Sequence, residues 1–221
     1  MISSAVLQII AIVTMAIDHV GLYLLPDCWV FRAIGRLAFP LFAFMLMEGF
    51  KHTRSRPHYF ARLLTTALVT QIITYILDSL AGISYSHNVL YTFCFALVSL
   101  ICAERGGFYL VAVPLLALAA GAFECDYGTF GVLLIIGFYY ADRFFNNNYI
   151  IRILAYTVVL YAMMVSLVYY NAWMVQLFSL FAIAPIALYS GEKGRRLPRA
   201  FGYVFYPAHL LIILLIRLQF F

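Results

Sequence analysis

The sequence predicts an all-α fold, a single polytopic bundle of transmembrane helices over residues 1–221. Three observations carry that prediction. The 221 residues are 66% hydrophobic and 10% charged, against about 45–50% and 25% in a soluble domain, and mean hydropathy is +0.98. Apolar runs recur at close to the length of roughly 20 residues that a spanning helix needs. Basic residues gather in alternate breaks between those runs, the pattern that orients membrane proteins. No polar stretch is long enough to fold alone. Met1 leads straight into apolar sequence with neither a basic n-region nor a small-residue cleavage site, so no cleavable signal peptide is expected. The net charge of +5 needs no nucleic acid to account for it.

Punctuation by charge, Pro and Gly sets the elements in order. Spans are expected near 4–25, 30–50, 59–78, 88–103, 108–123, 128–144, 149–170, 173–190 and 200–220. They are separated by "PDC", "KHTRSRPH", "AGISYSH", "ERGG", "ECDY", "RFFNNN", "YNA" and "SGEKGRRLPR". About nine spans result; the "ERGG" break is weak, so eight or ten also fit. With the N-terminus inside, the cytoplasmic breaks and their helix ends hold Lys51, Arg54, Arg56, Arg62, Arg105, Arg143, Arg152, Lys193, Arg195, Arg196 and Arg199. Only Arg32, Arg36 and Arg217 of the 14 basic residues are left outside. Asp27, Asp78, Glu124 and Asp126 all fall on the outer side. An N-terminus in the cytoplasm and a C-terminus outside are therefore expected. No broken-helix pair recurs in matching halves, which weakens a classical transporter reading. Cys28, Cys94, Cys102 and Cys125 show no C-x-x-C spacing, so no metal site is expected. Cys28 and Cys125 both lie in outer loops, where they can bridge or simply pack as small apolar side chains.

Against that background the segment "MAIDHVGLYLLPDCWVFRAIGRLAFPLFAF" is anomalous, because ionisable groups sit inside apolar runs. Asp18 lies about 10 Å in from the outer end of the first span and Arg36 about 9 Å in on the second, at 1.5 Å per residue. The short turn between them makes the helices antiparallel neighbours, so Asp18, His19 and Arg36 share a depth. A charge at a helix centre costs on the order of 2.5–3.5 kcal/mol. An Asp18–Arg36 pair holding the hairpin together would offset much of that. It does not explain His19, the side chain that exchanges protons near neutral pH. Neighbours on a helix point roughly 100° apart, so contact between Asp18 and His19 is not assured. Intramembrane ionisable groups are candidate functional residues.

Further candidates follow from placement. Glu48 and His52 end the second span against the basic loop, where interfacial pairing is the plainer reading. Arg54 and Arg56 on that loop, with Lys193, Arg195 and Arg196 on the later one, set topology or clamp an anionic cytosolic ligand such as a phosphate. His209 in "FYPAHLLIILL" lies near mid-membrane, with Pro207 freeing a carbonyl one turn earlier. Asn88 and Asp126–Tyr127 open spans from the outer side, as helix caps and an interface aromatic, or as contacts for a substrate arriving there. No G-x-x-x-x-G-K-[ST] or G-x-G-x-x-G is present, so a nucleotide hydrolase is unsupported.

Five stretches carry a family resemblance: "LQIIAIVTMAIDHVG", "FRAIGRLAFPLFAFMLMEGFKHTRSRPHYFARL", "DYGTFGVLLI", "QLFSLFAIAPIALYSGEKG" and "FGYVFYPAHLLIILL". In that order, from residue 7 to about residue 216, the chain resembles the TraX family, which is associated with N-terminal acetylation of F-type conjugative pilin. That family in turn looks like a distant relative of membrane acyltransferases that use cytosolic acetyl-CoA and carry an essential His near the outer end of an early helix. The resemblance implies an integral protein of the bacterial cytoplasmic (inner) membrane with His19 as general base, Asp18 as its partner and Arg36 stabilising the oxyanion or holding Asp18. It implies acetyl-CoA docked on the inner basic loops and an acceptor at the outer face, a pilin amine or alternatively a sugar hydroxyl of a surface glycan. Readings from other classes are a proton-coupled transporter using Asp18, His19, Arg36 and His209, and an assembly role in which His19 is dispensable.

Overall fold

A computed structural model describes residues 1–84, 86–171, 174–192, 194 and 201–220. Lys193, Arg195 and Arg196, expected to grip an anionic ligand, lie outside the described residues. The helices are α1 (Ser4–Tyr23), α2 (Trp29–Gly35), α3 (Ala38–His52), α4 (Arg56–Ala81), α5 (Val89–Arg105), α6 (Ala112–Ala122), α7 (Gly128–Phe145), α8 (Tyr149–Asn171), α9 (Ile183–Ala187) and α10 (Phe201–Phe220). A 3₁₀ turn over Gly107–Val111 leads into α6, and a 3₁₀ helix over Met174–Ala182 leads into α9. Among the described residues the only β-type pairings are two isolated bridges, Ile2 to Tyr189 and His87 to Cys125.

Each expected span falls on helix where it is described, and among the described residues five helical stretches are long and apolar enough to cross a membrane. They are Ser4–Tyr23, Trp29–His52, Arg56–Ala81, Tyr149–Tyr169 and Phe201–Phe220. The other expected spans fall on shorter or more polar helical stretches. α5 has 17 residues, Gly107–Ala122 and Met174–Ala187 are shorter apolar stretches, and α7 carries Asp142 and Arg143 near its end. The long helices turn apolar side chains outward. Ile72 on α4, Val158 on α8 and Ile212 on α10 are 67%, 66% and 57% exposed, which suits hydrocarbon and not water.

The second expected span is not continuous. α2 stops at Gly35, Arg36 and Leu37 form a turn, and α3 starts at Ala38. Pro40 accounts for this: it has no N–H for the Arg36 carbonyl, and its ring would clash with that carbonyl in an unbroken helix. The later 3₁₀ run Met174–Ala182 is a further irregular segment. Pro185, just beyond it, removes the donor that an α-helix would aim at the Phe181 carbonyl. Asp78, expected in an outer loop, lies within α4 and is buried, where it accepts from Tyr23 Oη at 2.8 Å.

The chain divides into two compact units, each discontinuous in sequence: Met1–Phe42, Thr65–Tyr85 and Trp173–Phe221 form one, Ala43–Leu64 and Ser86–Ala172 the other. In the first unit α1 packs against α2 and α10, and α2 against the 3₁₀ helix Met174–Ala182. Two glycines let the α1–α2 hairpin close. A Cβ on Gly21 would lie 2.5 Å from Phe31 Cβ, and one on Gly35 would lie 2.3 Å from Asp18 Cβ. Small residues serve this purpose wherever membrane helices approach closely. In the second unit α7 packs on α5, α6 and α8 around Leu134, Ile135, Phe138 and Leu160, all fully or almost fully buried. The rings of Phe44, Phe138 and Tyr156 meet edge to face there.

Candidate functional site

The site lies in the first unit and is built from two adjacent α1 side chains that face different partners. Asp18 meets α2. Its Oδ2 accepts from Arg32 Nη1 at 2.6 Å and its Oδ1 from Arg36 Nη2 at 2.6 Å, and Arg32 also donates to the Asp18 carbonyl at 3.1 Å. The side chains of Asp18, Arg32 and Arg36 are 15%, 13% and 9% exposed, so the cluster is held away from water. Arg36 reaches on to the 3₁₀ helix, where Nη1 donates to Gln176 Oε1 at 3.2 Å. It stands at the α2–α3 break with its Nε donating to the Arg32 carbonyl at 3.3 Å. The close approach of Gly35 allows all this: the Asp18 carboxylate occupies the space that a side chain at 35 would need.

His19 looks the other way, toward α10. Its Nδ1 lies 2.8 Å from His209 Nε2, and His209 Nδ1 donates to the Phe205 carbonyl at 2.9 Å. These contacts fix the tautomers. A carbonyl only accepts, so His209 carries its proton on Nδ1, and in the neutral ring Nε2 is a bare acceptor. His19 must then donate from Nδ1, which leaves the lone pair on His19 Nε2. Phe205 stacks on His209 with centroids 5.1 Å apart, and Tyr206 meets His19 edge-on. An apolar groove of about 390 Å³ is lined by α1 residues including Ile9 and Val13, by Phe31, and by Phe201 and Phe205 of α10.

The structure thus brings Asp18, His19, Arg36 and His209 into one unit. It corrects one pairing, because the imidazole partner of His19 is His209 and both Asp18 oxygens are taken by arginines. Two members were missed. Arg32 counts in the sequence only as an outer basic residue, although Arg32 and Arg36 at i, i+4 share one helix face. Gln176 is a lone amide in "MVQLFSLFAIAP", a polar side chain in an apolar run, and that is the signal that could have found it.

The remaining candidates, in the second unit, have local roles. Glu48 accepts from Lys51 at 2.8 Å and lies 3.8 Å from His52. Lys51 also donates to Asp142 at 2.7 Å, and Tyr156 Oη donates to the other Asp142 oxygen at 3.0 Å, joining α3, α7 and α8. Arg56 donates to Glu104 at 2.7 Å and lies over the Phe50 ring. Arg54 is exposed. Asn88 caps α5 by accepting from the Leu90 N–H at 3.1 Å. The Asp126 carbonyl accepts from the Thr92 hydroxyl, and Tyr127, at φ 60, opens α7. Cys28 and Cys125 are free thiols, as are Cys94 and Cys102. Among the described residues no three His, Cys, Asp or Glu side chains gather as a metal would require.

Comparison with known proteins gives the family. The family model described as TraX protein matches residues 3–217. A probable fimbrial assembly protein FimC, serogroup H1, of Dichelobacter nodosus is 31% identical over 94% of this chain and 92% of its own length. Protein TraX of Escherichia coli is 33% identical over 59% of this chain and 52% of that protein, and an uncharacterized protein of Rickettsia prowazekii is 31% identical over 60% and 53%. The matched region therefore spans about half the length of those two relatives. No solved structure matches the chain. An all-helical membrane-type chain matched by this family model over nearly its whole length, and related end to end to a fimbrial assembly protein, belongs to the TraX family.

Proposed function

We propose that this protein is an acetyl-CoA-dependent transferase of the bacterial inner membrane. It moves an acetyl group from cytosolic acetyl-CoA to an acceptor at the outer face, the N-terminal amine of a pilin subunit. The observation that carries the reading is the Phe205 carbonyl–His209–His19 chain, which leaves an oriented lone pair on His19 Nε2. In the proposed step His19 Nε2 takes a proton from the acceptor amine as the nitrogen attacks the thioester carbonyl carbon. The C–N bond forms, the C–S bond breaks, and the proton passes to the departing thiolate. General base action of this kind contributes about 10²–10⁴-fold. Arg36, held by Asp18, places positive charge near the carbonyl oxygen as it becomes negative. The surrounding bilayer keeps water from competing for the acetyl group. The relationship to a fimbrial assembly protein supports a pilin acceptor over a glycan. Transfer and hydrolysis of radiolabelled acetyl-CoA by the purified full-length protein test the reading, with wild type set against His19→Ala. Activity in the wild type and its loss, by about 10²-fold or more, in a folded variant are expected. A wild type that neither binds nor consumes acetyl-CoA would sink the enzyme reading.

A further inference from the structure

The 3₁₀ helix Met174–Ala182 runs for nine residues, whereas such runs seldom exceed three or four, and longer ones mark hinges or strained functional segments. With three residues per turn its side chains at i and i+3 eclipse. Its buried positions are Gln176, Ser179 and Ala182, one such row. An α-helix would splay these three over about 120°. The irregular backbone therefore aims a single polar row, Gln176 then Ser179, into the first unit, where α2 packs against this helix.

Two atoms of that row have no partner among the described residues: Gln176 Nε2 and Ser179 Oγ. Gln176 is 6% exposed and Ser179 is fully buried. The orientation of the amide is dictated chemically. A guanidinium only donates, so Oε1 must face Arg36 and Nε2 must point away from it. A buried N–H₂ group left over in this way is ready for an incoming acceptor. It sits one hydrogen bond from Arg36, which is itself one bond from Asp18.

We propose that Gln176 and Ser179, with Arg36, form the subsite that holds the acyl carbonyl oxygen of the thioester donor. Gln176 Nε2 is the hydrogen-bond donor that meets this oxygen as it becomes an oxyanion. This rests on the acetyl-transfer reading above and assigns it two residues. As the amine attacks, the carbonyl π pair moves onto oxygen and is held by the Gln176 N–H, the Ser179 O–H and the Arg36 charge. It returns to carbon as the C–S bond breaks. Donors fixed in advance at the site of developing charge are the largest single source of such catalysis.

Gln176→Glu separates this role from a structural one, because a carboxylate still accepts from Arg36 but presents no N–H to the substrate. The full-length protein in lipid nanodiscs is assayed with radiolabelled acetyl-CoA, and the carbonyl stretch of bound [1-13C]acetyl-CoA is recorded by infrared difference spectroscopy. For Gln176→Glu the expected result is a kcat lower by about 10²–10³-fold, with KM for acetyl-CoA within about three-fold and melting temperature unchanged. In the wild type the carbonyl band lies below its solution frequency, and in the variant it returns toward it. Ser179→Ala shows the same pattern, weaker. A Gln176→Glu enzyme with kcat within about three-fold of wild type overturns the subsite and leaves the transferase standing. If Gln176→Glu fails to fold, the wild-type band decides, and an unshifted carbonyl overturns the proposal. A wild type with no binding or turnover removes both readings together.

Discussion

The imidazole of His19 is oriented by a side chain 190 positions further along the chain, and removal of that neighbour should have a defined effect. His209→Ala is expected to lower kcat on the order of 10²-fold with little change in KM for acetyl-CoA, since His209 fixes the tautomer of the base and not the substrate. Steady-state transfer assays check this, and unchanged kcat would show that His19 needs no such support. Asp18 has the complementary role. Asp18→Asn removes the carboxylate shared by Arg32 and Arg36, and breaking a buried pair costs about 3 kcal/mol, read as an earlier midpoint in an SDS unfolding titration. Cys125, in the turn before α7, illustrates burial and a neighbouring charge acting together on a thiol. Desolvation, with help from Asp126, pushes its pKa up to about 11. Because the folded pKa is raised above that of the unfolded chain, this thiol favours folding below pH 9, and the contribution is lost as pH rises from 9 toward 11. Maleimide should accordingly label Cys125 slowly at pH 7.5 in the folded protein and rapidly after denaturation.

At the level of elements, the break between α2 and α3 is what lets Arg36 face both Asp18 and Gln176. Pro40→Ala restores the donor that an unbroken helix needs. The expected outcome is equal or higher thermal stability together with reduced acetyl transfer, because Arg36 would follow a regular helical path. A fully active Pro40→Ala enzyme would mean that the break does not matter to the chemistry. Gly35 tests the same hairpin from the opposite side. Gly35→Ala places a methyl group where the Asp18 carboxylate lies, and overpacking of this kind costs about 1–3 kcal/mol. The hairpin should survive in circular dichroism while transfer falls. The turn itself was legible in "PDC". The break was not, since Pro40 three residues into an apolar run reads as easily as a first-turn proline as a helix stop.

For the whole molecule, the outward apolar faces of α4, α8 and α10 commit the chain to lipid, and the distribution of Lys and Arg supports the proposed orientation. A cysteine introduced at Arg54 should react with an impermeant maleimide only from the cytoplasmic side of vesicles. Labelling from the outer side would reverse the orientation and with it the proposed direction of transfer. The helical positions could be read from hydropathy almost residue by residue, because apolar length is a local property. Where a run departs from a regular α-helix could not, because an apolar stretch such as Gly107–Ala122 carries no mark of opening in a 3₁₀ turn.

The sequence by itself determined the helical membrane class and the pairing of Asp18 with Arg36, since each follows from residue type and spacing along one or two adjacent helices, while motifs along the chain carried the resemblance to the family. Only the tertiary structure decided that His19 pairs with His209 and not with its neighbour Asp18, and that Arg32 and Gln176 complete the cluster. The physical reason is directional. Adjacent side chains on a helix diverge, so the partner of each is chosen by whichever helix packs against that face, and the helices in question, α10 and Met174–Ala182, come from the far end of the chain.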